Sequence, residues 1–224
     1  MRSEARCSAM AWSLGTRSAS ATSVVWIISI PSAVTVTVRG SSWSTGSDDA
    51  AVSGSANAGA PRSAHRLLFA TAPLTDSLHI SGTPRVTLRV AADRPAANLS
   101  VWLVTLPYDS MWAGSASRAG VVTRGWADLQ NHASLTRGGV YDSKGHGDPL
   151  VPGRYYDLTF DLEPDDQVIP AGKRLGIMIM SSDPEFTLWP RAGTRLTVDL
   201  AGTSFSLPVV GGGAALTRAG GVRR

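Results

Sequence analysis

Between Arg154 and Leu200 three strand patterns follow one another, RYYDLTFDLEPDDQVIPAGKRLGIMIMSSDPEFTLWPRAGTRLTVDL, and no other stretch constrains the fold as tightly. In the first, Tyr156, Leu158, Phe160 and Leu162 alternate with Tyr155, Asp157, Thr159 and Asp161. A period of two sends the first set to one face of a sheet and the second to water. Pro164 stops that strand, and an acidic corner, Asp165-Asp166, leads into the turn Ile169-Pro170-Ala171-Gly172, where Pro and Gly set the backbone reversal. The second strand, Leu175 to Met180, is apolar at alternate and intervening positions alike, the signature of a central strand covered on both faces. The third, Leu196 to Leu200, returns to alternation. Between the last two lies Asp183 to Pro190, a loop with two prolines and two large aromatics that reads as a core plug or a contact surface.

The remaining strands are shorter and punctuated by turns. Residues 66–70 and 77–80 are short apolar runs, and Gly82-Thr83-Pro84 turns into Arg85 to Val90, with Val86, Leu88 and Val90 inward and Arg85, Thr87 and Arg89 outward. Leu99 to Leu106 reads as a buried strand containing Trp102, and Gly120 to Trp126 as another. Asp128 to Leu150 is a long polar loop with several glycines, and a loop of that length in a compact domain is usually functional or covered by a partner. A last strand runs from Ser204 to Val209, followed by a Gly-rich tail over 212–224. Roughly eight or nine strands, with no convincing helical periodicity and no fixed repeat, give an all-β sandwich or jelly roll. The domain occupies 64–211, after a linker of Ala, Gly, Ser, Asp and Pro at 48–63.

Residues 1–47 read differently, as an irregular segment rich in Ser, Thr, Arg and Trp. The apolar run Val24 to Ile30 falls far short of the roughly 20 residues of a membrane span. A signal peptide fits it poorly, because the polar stretch before the run is long and no clean small-x-small cleavage site follows. A pair of β-strands is an alternative, since Val34, Val36 and Val38 alternate with threonines. The preferred reading is an artefact of gene-start assignment or a frameshift, without evolved structure.

Charge narrows the function classes. The formal net charge of +4 comes from arginine almost throughout, Lys144 and Lys173 being the only lysines. The arginines are scattered singly, unlike the massed basic face of a nucleic-acid binder. Cys7 stands alone, so neither a disulfide framework nor a multi-cysteine metal site is available. Gly-x-Ser-x-Gly, Gly-x-Gly-x-x-Gly, a P-loop and His-Glu-x-x-His are all absent. His65, His79, His132 and His146 fall on separate segments. His132 and His146 share the long loop with Asp128, Asp142 and Asp148, but no close spacing recommends a metal there; Asp165, Asp166 and Asp183 read as turn acids. No cofactor and no metal are expected. The sequence lacks a strained elbow to present a serine, which argues against a Ser-His-Asp set. Aromatics beside the loops carry more: Trp126, Asp128, Asn131, His132, Phe186 and Trp189 are the candidate interface or pocket-edge residues, combining bulky rings with polar neighbours.

These residues also carry a resemblance. The run Thr123 to His132 (TRGWADLQNH), Leu150-Val151-Pro152-Gly153 leading into the alternating strand, Ile169 to Leu175 (IPAGKRL), and the strands Arg85 to Val90 and Leu99 to Leu106 resemble the C-terminal domain of the Xaa-Pro dipeptidyl-peptidase and cocaine-esterase-like family of α/β hydrolases. The resemblance covers roughly 48–211 and implies a jelly-roll sandwich of the galactose-binding-like kind. It further implies a serine peptidase or acyl hydrolase whose Ser-Asp-His triad belongs to a hydrolase domain, so no triad position carries over to this chain. Residues 1–47 do not resemble the end of a hydrolase domain, and the chain is therefore expected to be a truncated or mis-started fragment, inactive alone. The implied partner is the hydrolase domain, with homo-oligomerisation a second expectation and neither nucleic acid nor membrane involved. An extracellular location is open for the full-length family. The alternative is a free-standing carbohydrate- or ligand-binding sandwich, since fold does not fix function.

Overall fold

The computed structural model describes residues 8–10, 22–27, 33–37, 66–106, 120–135, 147–181, 183, 186–188, 191 and 193–220, the first three groups as backbone strands. They form two antiparallel sheets. The smaller has four strands in the order β4 (Arg66–Ala70), β11 (Arg174–Met180), β7 (Asn98–Leu106) and β8 (Val121–Asp128). The larger is built on β12 (Arg195–Val209), flanked by β6 (Arg85–Ala92) on one side and by β2 (Thr22–Ile27) and β3 (Ala33–Thr37) along its length. Beyond them, β9 (Tyr155–Asp161) pairs with β6, and β1 (Ser8–Met10) pairs with β2. A last pair, β5 (Leu78–Gly82) with β10 (Asp165–Ile169), joins at the end of β12. The result is an all-β sandwich.

The alternation predicted for β6 and β9 is what the sheet uses. Val86, Leu88 and Val90 of β6 and Tyr156, Leu158 and Phe160 of β9 are buried in the core between the sheets. Burying each such side chain contributes about 1.5–3 kcal/mol. On the outer face, register places Arg85 opposite Asp161, Thr87 opposite Thr159 and Arg89 opposite Asp157. Arg85 donates to Asp161 at 2.5 and 3.1 Å, and the two threonine hydroxyls meet at 3.0 Å. Such cross-strand pairs fix register, because a slip of one residue would turn every apolar side chain to water.

β11 is central, as its two-sided apolar pattern predicts, with β4 on one edge and β7 on the other. Leu175, Ile177 and Ile179 join the main core with Leu99, Val101 and Leu103 of β7. On the reverse face Met178 and Met180 form a second buried cluster with Trp102, Val104 and Leu106.

Several boundaries differ from the sequence reading. The strands expected at 196–200 and 204–209 are one strand, β12, with a register shift between Asp199 and Ser204. The break is an irregularity in the pairing of one continuous strand rather than a chain turn, and Gly202 lies in it where a Cβ would meet the Arg89 side chain at 2.8 Å. The acidic corner at Asp165-Asp166 is the start of β10. The long loop after Asp128 opens with a 3₁₀ turn (Leu129–Asn131) and a one-turn helix α1 (His132–Leu135), which bury Leu129 and Leu135 in the core. The stretch read as a Gly-rich tail contains α2 (Gly212–Arg218), with Leu216 and the following Ala219 in the core. Thr75 ties it down, its N–H donating to Ala219 O at 2.9 Å and its hydroxyl to Arg218 O at 3.0 Å. Within the stretch read as irregular, β1, β2 and β3 are strands of the large sheet. The linker at 48–63 lies outside the described residues.

Candidate functional site

The site is built on β8, the outermost strand of the small sheet. Its period of two puts Arg124 and Trp126 on one face, and pairing with β7 sets Arg124 opposite Trp102 and Trp126 opposite Ser100. Two indoles and a guanidinium are thereby gathered on one patch of sheet. Asp183, from the loop after β11, meets all three. Its Oδ2 accepts from Trp102 Nε1 and Trp126 Nε1, each at 3.0 Å, and from Arg124 Nη1 at 3.4 Å. The carboxylate is 2% exposed and the Arg124 side chain 9%. A charge buried that deeply is tolerable only when paired and hydrogen-bonded.

The same aspartate shapes its own loop. Its carbonyl accepts from the N–H groups of Phe186 and Thr187 at 2.9 and 2.8 Å and from the Thr187 hydroxyl at 2.9 Å, while its N–H donates to that hydroxyl at 3.1 Å. The tight turn delivers Phe186 onto Trp126, with ring centroids 5.2 Å apart and planes inclined by 26°. The Arg124 guanidinium lies 4.0 Å from the Trp102 ring centroid and 4.9 Å from that of Phe186, cation–π contacts strengthened by exclusion of water. Two residues after Phe186, the Leu188 carbonyl accepts from the Asn98 side-chain amide, and Leu188 is left 88% exposed.

Beside this cluster lies a cleft of about 740 Å³, within the range of roughly 300–1,000 Å³ typical of binding pockets. One wall is Trp126, Phe186 and Leu188; Leu135 and Phe160 lie deeper, and Arg85, Asp161, Glu163 and Asp128 supply charge. Gly125 is required here, because a Cβ would lie 2.9 Å from both Asp161 O and Leu162 Cα, so only glycine lets β8 pass the end of β9 this closely.

Of the candidate residues, Trp126, Asp128 and Phe186 meet around this cleft. Asp128 also caps the 3₁₀ turn, its carboxylate accepting from Gln130 N–H at 2.9 Å. Asn131 and His132 do not line the cleft; the His132 ring packs on Tyr156, centroids 4.4 Å apart. Trp189 lies outside the described residues. Sequence reasoning missed Arg124 and read Asp183 as a turn acid. Spacing two residues before Trp126 on a strand was the available signal for Arg124, whereas nothing local marks Asp183 as its partner.

One Ser, His and Asp set does converge, on β5 and β10. His79 Nε2 lies 2.7 Å from Asp166 Oδ1, and the Ser81 hydroxyl donates to Asp166 Oδ2 at 3.2 Å. Both side chains address one carboxylate, so the imidazole does not stand between serine and acid, as base catalysis by a triad requires. These bonds hold the Asp166 carboxyl below the usual carboxylate range, through His79 first and Ser81 second. Among the described residues no three His, Cys, Asp or Glu side chains are grouped to hold a metal ion. No described helix is long and apolar enough to cross a membrane.

Comparison with known proteins bears on this architecture. Residues 15–220 match the family described as the X-Pro dipeptidyl-peptidase C-terminal non-catalytic domain. A Rhodopirellula baltica protein provisionally named as an Xaa-Pro dipeptidyl-peptidase is 50% identical over 165 residues, covering 74% of this chain and 25% of that protein. A Bacillus anthracis protein of the same provisional name is 35% identical over 147 residues, 66% of this chain and 21% of its own length. The chain thus spans about a quarter or less of these relatives. In fold it is similar to part of a crystallised aminopeptidase from a marine-sediment thaumarchaeon, with a TM-score of 0.52 at 15% identity, over 66% of this chain and 26% of the other.

Proposed function

The chain belongs to the X-Pro dipeptidyl-peptidase C-terminal non-catalytic domain family, and from that premise we propose that it is the β-sandwich that packs against the catalytic portion of a serine hydrolase acting on Xaa-Pro peptides or related acyl substrates. The face that docks is the one carrying Trp126, Phe186 and Leu188. The observation that supports it is the Asp183 anchor. A buried carboxylate holds Trp126 and Arg124, and the backbone of the same residue sets Phe186, 48% exposed, at the surface, followed by Leu188, 88% exposed and held at its carbonyl by Asn98. Large apolar side chains fixed in place and left in water mark an interaction surface, and the charged groups around them supply the polar rim of a protein interface. Among the described residues Phe186 is the only aromatic of the exposed large hydrophobic side chains, which disfavours the row of stacking rings a carbohydrate module would need.

The test is co-expression of this chain with a tagged portion of the Rhodopirellula relative lying outside the matched 165 residues. The two should co-purify, and a Phe186→Asp, Leu188→Asp double variant should lose the association while keeping its thermal midpoint. Failure to co-purify, or association indifferent to both substitutions, refutes the assignment of this face. Alone, the wild-type chain should self-associate with concentration through the same patch, and light scattering reads that directly.

A further inference from the structure

Among the described residues, the outer edge of β8 beyond Arg124 has no partner strand. In an antiparallel strand, successive residues turn their N–H and C=O groups to opposite edges. Just past the end of β8, Leu129 N–H bonds to Ala97 O on the β7 side at 3.1 Å, whereas Arg124 O accepts from Glu163 N–H on the other side at 2.7 Å. Even-numbered residues of β8 therefore address the outer edge. Glu163 engages Arg124 there. The next two are Trp126, with no backbone partner on that edge among the described residues, and Asp128, whose N–H has none there while its C=O, at the N-cap, accepts the first bond of the 3₁₀ turn. Along this same edge Gly125, Trp126, Ala127 and Asp128 in succession line the cleft.

We propose that the Trp126–Asp128 edge of β8 takes up an extended segment of the hydrolase's catalytic portion as an added strand, with a basic residue of that segment facing Asp128 and Glu163. The inference rests on the docking reading above and specifies its chemistry. Open edges are normally blunted by lysine, proline or a covering loop. Here Gly125 to Asp128 contains neither residue, and a cleft lies alongside. A strand laid into it sends alternate side chains to opposite walls: one set to Trp126, Phe186 and Leu188, the other towards Leu135 and Phe160. Main-chain hydrogen bonds supply affinity and the two walls supply selectivity, as in other strand additions. The charge preference follows from what is already paired. Arg85 holds Asp161 at 2.5 Å, which leaves Asp128 and Glu163 as the lining carboxylates without a cationic partner among the described residues. The occupant is of this origin because the chain spans only 25% of the Rhodopirellula relative, so most of such a protein is polypeptide able to reach this edge.

The experiment measures backbone amide exchange by NMR in the whole chain. Short overlapping synthetic peptides, tiling the Rhodopirellula relative outside the matched region, are added in turn. At least one peptide pairing Lys or Arg with a neighbouring apolar residue should slow exchange at Trp126 and Asp128 about tenfold or more, as new ladder bonds would. Gly125 and Ala127, already bonded to β7, should change little. An Asp128→Asn, Glu163→Lys variant keeps the turn cap and should weaken that peptide about tenfold, with β11 amides reporting an intact fold. Peptides that bind without protecting Trp126 and Asp128, or no binding peptide at all, overturn the proposal. Protection that rises with chain concentration in the absence of peptide assigns the edge to a second copy and overturns it equally. Co-purification in the preceding experiment, with these two amides unprotected by every peptide, leaves the docking face standing and removes only the strand addition.

Discussion

Replacing Asp183 by alanine should destabilise the fold by about 3–5 kcal/mol, the loss seen when one partner of a buried ion pair is removed. The magnitude follows from what the carboxylate leaves behind. Its Oδ2 receives two indole N–H groups at 3.0 Å and the Arg124 guanidinium at 3.4 Å, all on a side chain 2% exposed. One buried donor left unpaired costs about 1–3 kcal/mol. The three losses overlap because a single oxygen serves them all, so they do not add. Asp183→Asn can set its amide oxygen where Oδ2 stands, keeping an acceptor for all three donors but losing the charge that pairs with Arg124, and should fall between alanine and wild type. The assay is urea unfolding followed by tryptophan fluorescence and far-UV circular dichroism. At slopes of about 1–3 kcal/mol per molar urea, the alanine midpoint should drop by about 1–5 M. Asp157→Ala is the control, an exposed carboxylate 3.5 Å from Arg89, and should cost less than about 1 kcal/mol. An Asp183→Ala loss below about 1 kcal/mol, with an unchanged slope, would refute the anchoring role.

Other outcomes can be checked alongside. Ile177→Ala, in a strand paired on both edges and 2% exposed, should cost about 2–5 kcal/mol. Thr159→Ala loses one part-buried hydroxyl bond to Thr87 and should cost about 1 kcal/mol; equal losses for the two would overturn the assignment of strand environments. Asp166 is held below the usual carboxylate range by His79 and Ser81. Its contribution is therefore fully present above the ordinary aspartate value of about 4 and is lost as pH falls through the lower folded-state value. An NMR titration should find the Asp166 midpoint rising in a His79→Val variant, and an unmoved midpoint removes that cause. The isolated chain should not turn over an Ala-Pro anilide or a phenyl ester; turnover abolished by Ser81→Ala or His79→Val would show that the β5–β10 set is catalytic.

Patterns of period two are local, and so were visible along the chain. Val86, Leu88 and Val90 against Arg85, Thr87 and Arg89, or Leu175 to Met180 apolar throughout, state which faces are buried before any partner strand is known. Elements whose burial comes from distant chain were not legible. Asp165 to Ile169 reads as a polar corner and becomes a strand because β5 offers it a ladder. The glycine-rich stretch after 210 becomes α2 because the core receives Leu216 and Ala219. Within 1–47, β2 and β3 acquire their place from β12, more than a hundred residues away in sequence. The site divides the same way. Trp126 beside a polar loop and Phe186 in a proline-bearing loop were evident as residues, and local pattern sufficed to single them out. Their meeting was decided by tertiary structure alone: register set Trp102 opposite Arg124, and Asp183 closed on both from a loop 57 residues beyond Trp126. A hydrogen bond across that separation depends on where two strands end in space, which no local periodicity encodes.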